Sequence, residues 1–142
     1  MSRIKVHLPD SFKFSTSIKI RVSDLNYGNH VGNDTILSLS HEARLQYLTY
    51  LGFDNEVHIE NNIGIVVADA AVVYKSEAFY GDELAIKIGI DDINKYGFDM
   101  FYEITNAQSG NEVARVKTGI ICLDYDTRKI ALMPDVLKNA VT

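Results

Sequence analysis

The segment from Val22 to Gly52 constrains the fold of this chain most, because it holds the only long helical pattern in the sequence. Apolar residues recur there at the spacing that places them on one face of a helix. These residues are Ile36, Leu39, Ala43, Tyr47 and Leu51. Leu37, Leu48 and Tyr50 widen the stripe, so the pattern predicts a helix that is buried on most sides. Gly52 is expected to end it, since glycine commonly follows the last turn of a helix.

A polar loop lies directly before this helix. Asp24, Asn26 and His30 fall in the loop, and Gly28 and Gly32 are expected to give its backbone unusual angles. The free N–H groups and the dipole of a helix N-terminus attract negative charge. The loop and the helix start together therefore predict an oxyanion site beside a group that can move a proton. Either Asn33 or Asp34 is expected to cap the helix with its side chain.

The rest of the chain predicts a sheet. Strict alternation over Phe12–Val22 predicts a strand with Phe12, Phe14, Ile18, Ile20 and Val22 on its buried face. Ile63–Tyr74 is rich in Val, Ile and Ala, which predicts a buried strand. Further strands are predicted over 84–90, 96–104, 113–125 and 130–133, with a short one at Val57 and Ile59 left open, and a helical tail over 134–141. Tight turns join the strands and force mainly antiparallel pairing. One helix set against such strands predicts an α+β fold in a single domain over residues 1–142.

Composition excludes several classes of protein. The 142 residues carry a formal net charge of −5, which gives no support to nucleic-acid or lipid binding. The single cysteine, Cys122, and the lack of a hydrophobic signal core predict a cytoplasmic protein with no membrane span. The four histidines show no paired ligand spacing, so no metal is predicted. No glycine-rich phosphate loop is present, which argues against a tightly bound nucleotide cofactor.

Three stretches carry a resemblance to a known family: SDLNYGNHVGND in the loop, HEARLQYLTYLG on the helix, and YGDEL further on. From about Phe12 to Pro134 the chain resembles the hot-dog-fold thioesterases of the 4-hydroxybenzoyl-CoA thioesterase-like branch. The resemblance implies a curled antiparallel sheet of five or six strands wrapped round one long central helix. It also implies a dimer or a dimer of dimers, joined at the sheet edges, with sites built from both chains. The implied activity is hydrolysis of an acyl-CoA thioester, with coenzyme A as part of the substrate and no other cofactor.

The same resemblance implies roles for the loop residues. Asn26 falls on the position of the family's catalytic carboxylate, which leaves it to hold water or the thioester carbonyl, or to serve only as a turn residue. That replacement keeps a non-hydrolytic acyl-CoA binding protein open as the alternative. His30 falls on the position of a histidine in the related plant acyl-carrier-protein thioesterases, and imidazole is a common general base. Asp24 either orients His30 or a water, or forms the turn.

Two further groups complete the candidate site. The backbone N–H groups of Gly32, Asn33 and Asp34 are the candidate oxyanion donors. Another hot-dog branch places its carboxylate on the helix near His41 and Glu42, which makes Glu42 a second candidate base. The alternative is that Glu42 lies on a solvated helix edge with Gln46 or Arg44. The phosphates of coenzyme A need basic side chains, and the sequence does not choose among Lys75, Lys95, Arg115 and Lys117.

Overall fold

The fold is an antiparallel sheet with one long helix packed against it, in a computed structural model that describes residues 2–142. A short 3₁₀ turn, Val22–Asp24, joins the first strand to the loop. The elements are β1 Phe14–Lys19, α1 Asn33–Tyr50, β2 Ile63–Tyr74, β3 Glu83–Asn94, β4 Gly97–Asn106, β5 Glu112–Asp124, β6 Lys129–Ile130 and α2 Asp135–Val141. The predicted α+β class, the strand count and the antiparallel pairing are confirmed.

The sheet has the order β1-β3-β4-β5-β2, and the short β6 pairs with β5. Hairpins join β3 to β4 and β4 to β5, whereas β2 crosses to the far side of β5. The two long edges of the sheet are therefore β1 and β2. This order places the end of β2 near the start of α1, where the Tyr74 hydroxyl donates to the carbonyl oxygen of Asn33 at 2.8 Å.

The core lies between α1 and the inner face of the sheet. The helix contributes the side chains that the spacing predicted, and Ile36, Leu39, Ala43 and Tyr47 are all buried. Alternate residues of three strands meet them, because successive side chains of a strand point to opposite faces. These strand residues are Leu84, Ile86 and Ile88, then Phe98, Met100, Tyr102 and Ile104, then Ala114, Val116, Ile120 and Cys122.

The opposite face of α1 is open in the single chain. Leu37 is 40% exposed and Tyr50 is 69% exposed. In a single protomer, therefore, the expectation that the helix is buried on most sides is wrong. Apolar spacing predicted which residues can be buried, but the sheet covers only one side of the helix. Gly52 ends the helix as predicted, with a φ of 98°.

Several strand predictions also need correction. β1 ends at Lys19, and Val22 is exposed because the chain turns there into the 3₁₀ segment. β2 has the predicted bounds, but only Gly64 and Ile65 are buried in it, because an edge strand has a neighbour on one side only. The segment with Val57 and Ile59 forms no strand; a lone bridge joins Glu60 to Ile63.

The start of α1 differs from prediction in its cap. Gly32 occupies the cap position, and neither Asn33 nor Asp34 makes a capping hydrogen bond through its side chain. Gly32 has a φ of −65°, an ordinary value, and Gly28 also lies outside the left-handed region. The unusual angle belongs instead to Asn29, with a φ of 64°, which asparagine tolerates better than most residues.

Candidate active site

The loop before α1 is a tight turn closed by backbone hydrogen bonds. Leu25 and Val31 form a bridge, and the Asn26 N–H donates to the carbonyl oxygen of His30 at 2.9 Å. The side-chain oxygen of Asn26 accepts from the Gly28 N–H at 2.9 Å, which is the local bond that makes asparagine a good turn residue. The loop is fixed to the rest of the fold by Val31, whose N–H donates to the carbonyl oxygen of Ala78 at 2.8 Å.

Asn26 and His30 converge over Gly28. A Cβ added at Gly28 would lie 3.2 Å from both the Asn26 Oδ1 atom and the His30 Nε2 atom. The glycine therefore keeps open a gap between the two side chains. Asn26 uses its Oδ1 atom in the turn, while its NH₂ group makes no hydrogen bond within residues 2–142. The structure thus brings these two predicted site residues close together.

The imidazole of His30 is oriented for proton transfer. Its Nδ1 atom lies 3.1 Å from the carbonyl oxygen of Val31. A carbonyl can only accept, so Nδ1 carries the proton in this contact and Nε2 of the neutral ring carries the lone pair. The ring lines a cavity of about 300 Å³ beside the start of α1.

Glu77 is a member of this site that the sequence analysis missed. One of its carboxylate oxygens lies 4.0 Å from the His30 Nε2 atom, and it lines the same cavity. Tyr74 and Lys75 also line it. Glu77 follows β2 and lies far from His30 in sequence, so only the placement of β2 beside the loop brings them together. Its position just after a strand, in the polar stretch Lys75-Ser76-Glu77, was the one available signal.

The helix start supplies two of the three proposed oxyanion donors. The N–H groups of Asn33 and Asp34 have no acceptor within the described residues 2–142. The N–H of Gly32 donates to the carbonyl oxygen of Asp24 at 3.2 Å. That bond leaves Gly32 occupied, so the prediction that it is a free donor is wrong. Asn33 lines the His30 cavity, which places one free donor at the same opening as the imidazole.

Asp24 does not contact His30 anywhere in the described structure. Its buried carboxylate accepts from the Arg21 backbone N–H at 2.8 Å and from the Arg21 guanidinium at 3.3 Å. These bonds close the 3₁₀ turn, while the Asp24 carbonyl holds Gly32. Of the alternatives that the sequence left open for Asp24, the structure therefore supports the turn-forming one, and within the described residues it gives Asp24 no hydrogen bond to His30.

Glu42 lies away from the His30 cavity, on the open face of α1. Its carboxylate accepts from the Gln46 side chain at 2.9 Å, which is the solvated helix edge that the sequence analysis gave as the alternative. The cavity it shares with Asp24, of about 520 Å³, does not include His30. Glu42 is thus not in reach of the atoms around His30, and the structure does not support it as the base for that cavity.

Two residues further along α1, at Arg44, a buried polar network ties the helix to the sheet. Arg44 is 6% exposed and donates to Glu56 at 3.2 Å and to the Tyr102 hydroxyl at 3.0 Å. The Tyr102 hydroxyl also lies 2.9 Å from the Thr118 hydroxyl. Burial raises the pKa of Tyr102, although the neighbouring Arg44 opposes that rise. The network fixes the helix on the sheet and so holds its N-terminus at the loop.

Three further features of the described residues bear on function: the single cysteine, the possibility of a metal site, and the length and polarity of the helices. Cys122 is buried, and burial raises the pKa of its thiol to about 11, as expected of a core cysteine without a basic neighbour. Within residues 2–142, no group of three histidine, cysteine, aspartate or glutamate side chains is placed to hold a metal ion. None of the helices in the described part of the chain is long and apolar enough to cross a membrane.

The fold and this cavity define a class of protein. A family model described as the Thioesterase-like superfamily matches residues 20–141. The match takes in most of the chain, including the loop, α1 and every strand after β1. The chain belongs to this superfamily, and it is a thioester hydrolase with the hot-dog fold.

Three relatives show how the chain stands within the class. It is 24% identical over 130 residues to the 1,4-dihydroxy-2-naphthoyl-CoA hydrolase of Synechocystis sp., a match that covers 90% of this chain and 94% of that protein. It is 27% identical over 128 residues to the long-chain acyl-CoA thioesterase FadM of Escherichia coli, covering 87% and 93%. The crystal structure of a 1,4-dihydroxy-2-naphthoyl-CoA thioesterase from Synechocystis superposes with a TM-score of 0.83 at 23% identity, covering 90% and 94%.

Proposed function

We propose that the chain hydrolyses an acyl-CoA thioester and that His30 is the general base. The observation that carries the proposal is that His30 lines a cavity at the N-terminus of α1, which Asn33 also lines, while its Nδ1 atom faces the Val31 carbonyl and leaves Nε2 as the basic nitrogen. Both relatives matched in sequence are named as hydrolases of acyl-CoA thioesters, which supports the substrate class. They act on an aromatic and on a long-chain acyl group, so the acyl group of this substrate is not assigned.

In the proposed reaction, Nε2 of His30 takes a proton from a water molecule, whose oxygen attacks the thioester carbon. The free N–H groups of Asn33 and Asp34 donate to the carbonyl oxygen as it gains negative charge. The carboxylate of Glu77 faces the imidazolium that forms, and opposite charges at this distance attract. Collapse of the tetrahedral intermediate breaks the carbon–sulfur bond, and the imidazolium gives its proton to the departing thiolate. The products are the free acid and coenzyme A.

The side-chain NH₂ group of Asn26 is proposed to hold the attacking water or the thioester carbonyl. An amide cannot act as the carboxylate of related thioesterases does, since it neither takes up a proton nor attacks carbon. Because Asn26 has no carboxylate, we assign the proton transfer to His30. It is also the observation that favours a non-hydrolytic acyl-CoA binding protein as the second candidate.

The test is turnover with a panel of acyl-CoAs, aromatic and aliphatic, followed by release of free thiol. His30→Ala is expected to lower kcat by about 10²–10⁴-fold, because it removes the general base. His58→Ala is the matched control, since the exposed His58 ring lies outside the cavity that His30 lines and is within hydrogen-bonding distance of the carbonyl oxygen of Asn61. Tight acyl-CoA binding without turnover in the unmodified protein would support the binding protein instead. Intact turnover in His30→Ala would remove the assignment of the base.

Variants at Asn26 separate its two possible roles. Asn26→Asp keeps the oxygen that accepts from the Gly28 N–H and supplies a carboxylate, so turnover is expected to stay equal or rise. Asn26→Ala is expected to lower turnover while the unfolding temperature changes little, because the turn retains its backbone hydrogen bonds. A loss of folding rather than of turnover in Asn26→Ala would show that the residue serves the turn alone.

Assembly and location are also proposals. A homodimer or tetramer is supported by the long open edge of β2 and by the exposed apolar side chains on α1. A cytoplasmic location is supported by the single cysteine, Cys122, which forms no disulfide within the chain and is buried. Mass measurement tests the first of these, and fractionation of cells that express the protein tests the second.

A further inference from the structure

A second cavity lies beside the His30 cavity, formed where the N-terminal arm of the chain packs against β2 and β5. Its volume is about 200 Å³. The residues that line it are Ile4, Lys5, Val6, His7, Val73, Lys75 and Arg115. Lys75 lines the His30 cavity as well, so the two cavities adjoin at this residue.

The arm is fixed in place rather than loosely attached. Val6 is buried, and its carbonyl oxygen accepts from the Arg115 guanidinium at 3.2 Å. Arg115 is in turn oriented by Glu112, whose carboxylate accepts from Arg115 Nε at 2.8 Å. Val73 lies opposite Arg115 in the ladder between β2 and β5. These contacts place the exposed Lys5 side chain next to the end of β2.

The charge of this cavity stands out in an acidic chain. The protein carries a formal net charge of −5, yet the lining holds Lys5, Lys75 and Arg115, with His7, and no acidic residue. Glu112 offsets part of the charge of Arg115, whereas Lys5 and Lys75 form no ion pair with a carboxylate within residues 2–142. Two ammonium groups are therefore free to bind an anion, as lysines commonly bind phosphate.

The other basic side chains that the sequence offered are placed elsewhere. The Lys117 ammonium lies 2.7 Å from Asp69 and 3.5 Å from Asp99, so two carboxylates already neutralise it. Lys95 lies over the ring of Tyr96, whose carbonyl accepts from the Cys122 N–H, whereas β2 ends opposite Ala114. Eight residues of β5 separate those positions, which is about 26 Å at 3.3 Å per residue.

We propose that Lys5 and Lys75, supported by Arg115, bind phosphate groups of the coenzyme A part of the substrate. The inference rests on the proposed acyl-CoA substrate and adds the subsite that holds its nucleotide end. Lys75 lies between the two cavities, so the pantetheine arm passes this side chain on its way from the thioester to the phosphates. The N-terminal arm thereby becomes part of the substrate site.

Direct binding tests this without turnover. Calorimetric titration with coenzyme A and with pantetheine, which has the same thiol arm but no phosphate, is expected to show tighter binding of coenzyme A. Lys5→Ala and Lys75→Ala are each expected to weaken coenzyme A binding roughly threefold to tenfold and to leave pantetheine unchanged. Lys5→Arg is expected to bind coenzyme A about as tightly as the unmodified protein does, since arginine keeps the positive charge. Lys95→Ala is the matched control and should bind coenzyme A as the unmodified protein does.

The outcomes separate this inference from the proposed function. Equal affinity for coenzyme A and pantetheine, or no binding of either, would overturn the phosphate subsite. An effect of Lys95→Ala as large as that of Lys5→Ala would overturn its location. Selective binding of coenzyme A that depends on Lys5 and Lys75, in a protein that releases no thiol from any acyl-CoA, would keep the subsite and contradict the hydrolase.

Discussion

Two buried tyrosines differ in how their hydroxyl groups are satisfied. The Tyr47 hydroxyl is buried and has no hydrogen-bond partner within the described residues, whereas the Tyr102 hydroxyl bonds to both Arg44 and Thr118. A buried polar group without a partner lowers stability, because folding removes its bonds to water and returns none. The sequence does not distinguish the two tyrosines, since both occupy core positions in their periodic patterns.

Phenylalanine at the two positions is therefore expected to have opposite effects. Tyr47→Phe removes an unsatisfied hydroxyl without changing the ring, so the free energy of unfolding is expected to stay equal or rise by about 1 kcal/mol. Tyr102→Phe leaves Arg44 and Thr118 short of a partner and is expected to lower it by about 1–3 kcal/mol. Urea denaturation measures both. Equal destabilisation by the two variants would contradict the contrast.

Tyr47 also predicts a dependence of stability on alkaline pH. Burial raises the pKa of Tyr47 from 10.0 to about 12. Above pH 10 the unfolded chain gives up this proton while the folded chain keeps it, so stability falls as pH rises from about 10 to about 12, by about 2–3 kcal/mol. The Cys122 thiol, with its pKa raised to about 11, adds a loss that begins at lower pH. Tyr47→Phe is expected to lessen the fall in chemical denaturation over that range. If Tyr47→Phe and the unmodified protein lost stability equally over that pH range, the assignment of the loss to Tyr47 would be contradicted.

At the scale of elements, α1 presents two different faces. Leu39 is 3% exposed and packs on the sheet, while its neighbour Ser38 points to the open face. The sequence predicted the buried face correctly, because the 3.6-residue period of a helix is a local property. It could not predict that the other face stays open, since that depends on how far the sheet reaches round the helix.

Aspartate at these two neighbouring positions tests the packing of α1. Leu39→Asp buries an unpaired charge and is expected to lower the free energy of unfolding by about 3–5 kcal/mol. Ser38→Asp, in the same turn of the helix, is expected to change it by about 0.5 kcal/mol or less. Thermal unfolding of both variants gives the comparison. An unchanged unfolding temperature for Leu39→Asp would rule out the packing of this face against the sheet.

At the scale of the whole molecule, the open edge of β2 and the open face of α1 lie next to each other on the same side of the protein. Val67 on β2 is 42% exposed, and it lines one small cavity together with Leu37 and Arg44 of the helix. A long unpaired edge strand offers free N–H and C=O groups to another chain. Pairing β2 with β2 of a second copy would also cover the apolar residues beside it, which supports the proposed dimer.

Measurement of mass by light scattering is expected to give about twice the 15.9 kDa of one chain, or four times for a dimer of dimers. Val67→Lys places a charge on the edge and is expected to shift the mass toward the monomer, as charged residues protect sheet edges in other proteins. Ile130→Lys, the same kind of apolar-to-charged change at an exposed residue of β6, is the control. A monomeric unmodified protein would contradict the assembly, and an unaffected dimer in Val67→Lys would place the interface elsewhere.

The sequence by itself determined the elements of this protein and the loop that carries His30, because helix and strand periods and turn residues act over a few positions. It also predicted the convergence of His30 with Asn26, since both lie in one turn. Only the tertiary structure decided which side chains join them. The crossing of β2 to the far side of β5 brings Glu77 and Lys75 to the His30 cavity, and the N-terminal arm brings Lys5 to the second cavity, which Lys75 also lines. The same structure directs Asp24 toward Arg21 and Glu42 toward Gln46. The contacts of Asp24 and Glu42 are local, since their partners lie three and four residues away. The placement of Glu77 and Lys75 beside His30 depends instead on the order of strands, which no local pattern encodes.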